Sequence, residues 1–583
     1  MLESFGLKKI LRLAAAFSFA VASLMCPRAS ADDAVQGRHG MVVTAQREAS
    51  AAGLEILKAG GNAVDAAVAI GYALAVVDPC CGNIGGGGFM LIHIAAGAGV
   101  ASDKVGDHFV NFRETAPGAA KPDMYLDTGG NPIATASREG YRAVAVPGTV
   151  EGLDFALRRY GRLGHLGRAQ VMAPAIALAR HGFVLGAADA AIIARDAKRL
   201  ATDPEAARIF LHPDGTPYME GERLVQPDLA ATLERIVAGG GADAFYRGPI
   251  PAAVAAASAA HGGIITALDL EGYSAIETAP LRCAYHGVEI VTAPAGGGGV
   301  TLCEILGVMA GEDLVRTDPH SPRAVHFAVE AMRRAFFDRN TLLGDPQFVA
   351  NPVERLLSPA YAAAIRHAID PDWATPSATL GSVTPADEKP QTTHYSVVDG
   401  EGNAVAVTYT INGNFGAGVV APGTGFLLNN EMDDFAAKPG AANMFGLVQG
   451  SANTIAPGKR PLSSMSPAFI ENADGKPIYV LGSPGGPRII TAVLETIMNL
   501  VDFGLSPADA VAAARYHHQY LPDTLFYETG GLPPDTLSAL AAMGYTLKEQ
   551  SPWGAVELIA IGPDGVLTGV NDPRRPAGAA MGD

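Results

Sequence analysis

Two runs rich in β-branched and aromatic residues, parted by a short glycine-bearing polar stretch, stand out in the second half of the chain. Thr392-Thr393-His394-Tyr395-Ser396-Val397-Val398 gives way to Asp399-Gly400-Glu401-Gly402-Asn403, and the pattern resumes as Ala404-Val405-Ala406-Val407-Thr408-Tyr409-Thr410-Ile411-Asn412. Such a pattern predicts a β-hairpin. A ladder symmetric about Glu401 sets Val398 against Ala404, and counting outward sets Thr392 against Thr410. Near the start, helical apolar spacing covers residues 46–58 and ends at Gly60-Gly61. Asn62 is then placed to cap a second helix, with Asp65 at its third position. That helix, Ala63–Val77, is apolar on nearly every side, which predicts burial.

A glycine run, Gly82-Asn83-Ile84-Gly85-Gly86-Gly87-Gly88, leads into a predicted strand at residues 91–94. It lacks the Gly-Lys-Ser/Thr of a nucleotide loop, so close backbone packing is the better reading. Alternation over residues 108–117 predicts a strand with Phe112 and Arg113 on opposite faces. Residues 146–153 read as a turn into a helix, and 168–357 as helices alternating with short strands. Residues 426–435 read as an apolar strand with an acidic turn, and 436–450 as a segment of mobile composition. Residues 478–483 suit a strand and 488–500 a helix, with Pro487 at its first position.

The hairpin carries candidate chemistry because side chains directly opposite one another come within hydrogen-bonding range. Two threonine hydroxyls would therefore meet at its open end. Upstream, residues 370–391 hold four prolines and little apolar periodicity, the signature of an exposed loop. A cut before Thr392 would leave a threonine whose α-amine, of pKa about 8, stands beside its own hydroxyl as a general base. After the 478–483 strand, Gly485 and Gly486 put their amides at a helix N-terminus, where donors stabilise a developing oxyanion, although taken alone a structural strand-to-helix turn is the favoured reading.

Gln391-Thr392-Thr393-His394-Tyr395-Ser396-Val397-Val398-Asp399 and Pro461-Leu462-Ser463-Ser464-Met465-Ser466-Pro467 resemble the γ-glutamyltranspeptidases, self-cleaving N-terminal-nucleophile hydrolases also called glutathione hydrolases. The resemblance runs from about Gly40 to Asp572, with several long motifs in family order. It implies that Thr392 is the nucleophile, that Gly485 and Gly486 form the oxyanion hole, and that Arg113 of the Phe-Arg-Glu motif grips the substrate α-carboxylate. Guanidinium forks onto a carboxylate suit that task. The resemblance also implies that Asn412, Glu431 and Asp434 hold the α-ammonium, with Gln replacing the Glu in some relatives. It further implies that Ser463 and Ser464 contact the carboxylate, that residues 436–450 form a lid, and that Phe445 is its aromatic gate. Without the resemblance these acids read as a solvated face and the serines as turn caps.

Composition narrows the setting. The formal charge of −17 becomes −20 once residues 1–31 are removed, which leaves no electrostatic footprint for nucleic acid or an anionic membrane. Lys8, Lys9 and Arg12, an apolar run over 13–25 and Ala29-Ser30-Ala31 make a secretory signal peptide. The run is short for a bilayer span, though an uncleaved anchor is the alternative. Cys80, Cys81, Cys283 and Cys303 read as buried thiols: a bridge between adjacent cysteines would be strained, and a Cys283–Cys303 bridge is open. No spacing suggests a metal site or a cofactor, and His517-His518 reads as packing.

The expected fold is a four-layer αββα sandwich of α/β (α+β) class and N-terminal-nucleophile type. It is made as one precursor, with residues 1–31 as address, 32–391 as large subunit and 392–583 as small catalytic subunit, together one folded unit. The expected partners are glutathione or other γ-glutamyl donors and amino acid or dipeptide acceptors, in a periplasmic or secreted protein. Two competitors stand: an acylase for glutaryl or poly-γ-glutamyl substrates, and a γ-glutamyl-binding relative that does not mature.

Overall fold

The computed structural model describes residues 34–97, 101–133, 135–314, 317–381 and 392–583. The expected signal peptide and the loop from residue 382 through Gln391, with the Gln391 side of the predicted cut, lie outside the described residues. Two seven-stranded sheets face each other, and every pairing in both is antiparallel. Across the first, the order is Ala579–Gly582, Gly40–Thr44, Thr393–Asp399, Ala404–Thr410, Gly87–Ile94, Gly106–Asn111 and Ile276–Thr278. Across the second it is Val35–Gly37, Leu567–Val570, Leu558–Ile561, Pro477–Leu481, Ala468–Glu471, Val288–Thr292 and Leu281–Tyr285.

The period-2 alternation of the strands divides their side chains between layers. Met41, Val43, Phe89, Leu91, Val398, Ala404 and Ala406 meet Val291, Phe469, Val480 and Ile559 between the sheets. Val42, Met90, Ile92, Val397, Val405 and Val407 point outward onto helices Arg47–Lys58 and Ala63–Val77. On the far side Ile290, Ile470 and Leu481 pack against Gly299–Met309, Pro322–Leu342 and Arg488–Val501. This is the expected four-layer sandwich. The hairpin strands sit at its centre, between Gly40–Thr44 and Gly87–Ile94, so strands from both sides of the predicted cut build one sheet.

Local expectations hold where short-range chemistry decides them. Asn62 accepts from the Val64 and Asp65 amides, Asp65 returns a bond to the Asn62 amide, and all fifteen residues of Ala63–Val77 are buried. Such a capping box satisfies donors that a helix start leaves open. Differences arise where tertiary contact decides. The strand after the glycine run begins earlier, at Gly87, because that backbone pairs with Thr410. The next strand ends at Asn111, one residue before Phe112, which still exchanges both backbone hydrogen bonds with Gly88 and buries its ring in the helix-facing core. Residues 426–430 form no strand beyond a single Val420–Leu427 bridge. The buried-thiol expectation is corrected: Cys80–Cys81 and Cys283–Cys303 are both paired. A turn over Asp78–Cys81 brings the first pair together, and packing of strand Leu281–Tyr285 on helix Gly299–Met309 brings the second.

Candidate active site

The hairpin has the predicted register. Val398 pairs with Ala404 and Thr393 with Tyr409, so the next step outward sets Thr392 beside Thr410. Both line one small cavity, of about 20 Å³, with Arg113, Asn412, Glu431, Asp434, Phe445, Ser463, Ser464 and Gly486. Thus residues from distant motifs converge on the end of the hairpin. Gly485 does not line the cavity but directly precedes Gly486; their φ angles of 135° and 56° lie where a Cβ is disfavoured. Pro487 is the cap residue before Arg488–Val501 rather than its first residue.

The glycine run makes this convergence possible by close approach. A Cβ at Gly86 would stand 2.0 Å from the Thr410 carbonyl oxygen, and one at Gly87 2.7 Å from the Glu114 carboxylate. Neither position tolerates a side chain without movement. Asn412 takes φ 73°, a left-handed conformation that Asn accepts more readily than most residues. Its amide donates to Thr410 Oγ1 at 2.8 Å, and its Nδ2 to the Asn430 carbonyl at 3.0 Å. Asn429 fixes the acidic turn Glu431–Asp434 from below, accepting from the Glu431 amide and donating to the Gly85 and Ala145 carbonyls.

Arg113 is fully buried and pairs with Glu431 and, through Nη2, with Asp434 Oδ2 at 2.5 Å; Glu114 Oε2 lies 3.5 Å away. Burial disfavours its charge, but Glu431, Asp434 and Glu114 more than offset this and hold it protonated. The acids feel the same burial. Burial pushes Glu114 up to about 7 against the pull of Arg113, and raises Glu431 and Asp434 as well. Glu431 Oε2 and Glu114 Oε1 are buried without a hydrogen-bond partner. Three carboxyls around one guanidinium leave negative charge uncompensated, a costly arrangement unless a cation arrives or a proton is held.

The two serines are differently arranged. Ser463 Oγ accepts from the Met465 amide at 3.1 Å, and Ser464 Oγ from Arg339 Nη2 at 2.9 Å. Phe445 is 3% exposed and packs with Leu447 and Val448 into the helical layer, and Gln519 Nε2 donates to its carbonyl at 3.0 Å. Phe445 and Leu447 of residues 436–450 thus form part of the cavity wall. His394, two positions after Thr392, is buried and neutral: desolvation pulls it down to about 3, and it bonds Thr408 and Ser396 beneath Gly482.

Two residues escaped sequence reasoning in their roles: Glu114, beside Arg113, and Arg339, which lines the cavity. Glu114 stands in the Phe-Arg-Glu motif, and Arg339 follows Arg333 and Arg334 in the otherwise mostly buried helix Pro322–Leu342. An excess of buried cations on one helix is the signal that could have found it. Away from the cavity, His517 bonds Thr491 and Gln519, as packing predicts. Among the described residues, two groups have ligand-type atoms close together. In Asp78–Cys80–Cys81 the sulfurs are bridged, and around His93–Asp107–Glu471 the Arg282 guanidinium supplies the cation.

A γ-glutamyltranspeptidase family model matches residues 49–582. A glutathione hydrolase proenzyme of Pseudomonas sp. (strain A14) is 47% identical over 94% of this chain and 95% of its own length. One from Escherichia coli (strain K12) is 44% identical over 93% and 91%. Among solved structures, the cephalosporin acylase from Bacillus halodurans superposes with TM-score 0.83 at 29% identity, covering 96% of this chain and 98% of that one. A match along nearly the whole chain, together with the hairpin, glycine run and acidic turn meeting at one cavity, establishes that the chain belongs to the γ-glutamyltranspeptidase family.

Proposed function

We propose that the chain is a γ-glutamyltransferase and glutathione hydrolase that acts through a γ-glutamyl ester on Thr392. The observation that carries this reading is the crowding of carboxyls around Arg113: buried oxygens of Glu431, in the cavity lining, and of Glu114, behind it, lack hydrogen-bond partners that a glutamyl ammonium at Glu431 and Asp434 would begin to supply. Ser463 and Ser464, whose oxygens already accept a bond, keep their protons for the α-carboxylate.

Maturation comes first. Thr392 Oγ attacks the Gln391 carbonyl carbon, the peptide nitrogen leaves as the Thr392 amine, and water cleaves the resulting ester to give a Gln391 carboxylate. The pieces are residues 32–391 and 392–583, held together by the shared sheet. In turnover the Thr392 amine takes the hydroxyl proton while Oγ attacks the γ-carbonyl, and the Gly485 and Gly486 amides receive the developing oxyanion. The amine half of the donor leaves with a proton. Water then hydrolyses the ester to glutamate, or an amino acid or dipeptide amine takes the acyl group.

The N-terminal address supports export, to the periplasm or beyond, and no described helix is long and apolar enough to cross a membrane. An acylase reading has a specific basis in the likeness to a cephalosporin acylase, but a glutaryl group carries no ammonium and would leave these acids unpaired. The function is tested by incubating the purified protein with glutathione, with and without glycylglycine. Glutamate release alone, and γ-glutamyl-glycylglycine when the acceptor is present, is the expected result; intact glutathione in both tubes contradicts it.

A further inference from the structure

Arg339 is a buried cation whose neighbours do not neutralise it directly. It is 1% exposed and lines the cavity, yet its hydrogen bonds run to neutral acceptors, Ser464 Oγ at 2.9 Å and Asn340 Oδ1 at 3.1 Å. Its Nε has no hydrogen-bond partner, and among the described residues no carboxylate forms an ion pair with it. Burial draws it down to about 10, with Asp434 pulling the other way, so it stays charged at neutral pH. A buried charge without a counterion is costly in the empty state, and a ligand carrying the opposite charge removes that cost.

The hydroxyl beside it points to the same ligand. A serine has one proton to give, and because Arg339 occupies the Ser464 oxygen, that proton is directed elsewhere. Its neighbour Ser463 is set in the same way by the Met465 amide. When a substrate ammonium takes up Glu431 and Asp434, the guanidiniums of Arg113 and Arg339 are left facing its carboxylate.

We propose that Arg339 is a positioning residue for the α-carboxylate of the substrate: it holds Ser464 as a polarised donor and supplies the distant half of the positive charge that makes the pocket select α-amino acids. This rests on the γ-glutamyl reading above.

The test compares γ-glutamyl-p-nitroanilide with its α-carboxamide analogue in wild type, Arg339→Gln and Arg339→Lys, each first checked for cleavage into two fragments. Losing a charge-assisted bond should lower kcat/KM on the carboxylate substrate by about 10- to 100-fold, mostly through KM, and change the carboxamide by less than about threefold. Arg339→Lys keeps the charge without the fork and should fall between, which preserves the test if the Gln variant fails to fold. Equal losses on both substrates, or an unchanged preference, would overturn the assignment. Calorimetric binding of L-glutamate against 4-aminobutyrate, which lacks the α-carboxylate, reads the same preference without turnover. Wild-type failure to cleave either anilide would therefore sink the functional reading, while the binding comparison would still decide the role of Arg339.

Discussion

Arg113 and Asp434, 321 positions apart, are paired directly in the empty pocket, Nη2 to Oδ2 at 2.5 Å. The groups expected to hold opposite ends of a zwitterion thus hold each other until it arrives. Removing the guanidinium leaves Glu431, Asp434 and Glu114 without their shared cation, and breaking a buried pair commonly costs about 3–5 kcal/mol. Arg113→Ala should lower the thermal midpoint and reduce kcat/KM on γ-glutamyl-p-nitroanilide by more than about 100-fold. Arg113→Lys should recover little, because an ammonium cannot fork between two carboxylates. Calorimetry and initial rates on the three proteins check both effects.

The raised carboxyls give the pocket a pH signature. Glu114, held near 7 by burial, is protonated below that value and charged above it, and Glu431 and Asp434 are shifted in the same direction. Negative charge for the substrate ammonium therefore grows as pH rises through about 7, and binding releases a proton. L-Glutamate affinity should increase with pH across that window, and the heat of binding should depend on the ionisation enthalpy of the buffer. A flat affinity would show that the acids are already fully ionised.

Thr410 accepts the Asn412 amide proton at 2.8 Å, so its own proton is turned away from that amide and is available at the end of the hairpin. Thr410→Ala should slow both maturation and turnover, by about five- to tenfold for one lost orienting bond, with the fold intact. Time courses on denaturing gels and anilide rates measure the two steps separately. Unchanged rates would mean that the register brings the threonines together without consequence.

The proposed cleavage requires Thr392. Wild-type protein should run as fragments of about 37 and about 20 kDa by length, and Thr392→Ala as one uncut chain. Active wild-type enzyme in a single full-length band would rule out an N-terminal nucleophile.

What the sequence made legible was what short-range chemistry decides. The loop symmetric about Glu401 sets the hairpin register, Asn62 and Asp65 write a capping box, and the glycine run signals close approach without naming the neighbour. The start of the strand at Gly87 and the pairing of Arg113 with Glu431 were not legible, since both depend on contact with segments hundreds of residues away. The same holds for Arg339: its contact with Ser464 spans 125 positions, and only the folded helical layer shows that, among the described residues, no carboxylate forms an ion pair with it. The Cys80–Cys81 bridge was missed and Cys283–Cys303 left open, because spacing in sequence says little about where sulfurs meet.

The central claim is that Glu431 and Asp434, with Asn412, form a clamp for the donor's α-ammonium. The most direct measurement is the ratio of kcat/KM for γ-glutamyl and glutaryl p-nitroanilides, which differ by that one ammonium, in wild type and in Asp434→Asn. The account predicts a wild-type ratio above about 100, from the cost of leaving buried carboxylates unpaired, and a collapse in Asp434→Asn through loss of the γ-glutamyl rate. Wild-type enzyme that hydrolyses the glutaryl anilide as fast as the γ-glutamyl one would contradict the clamp and make the protein an acylase.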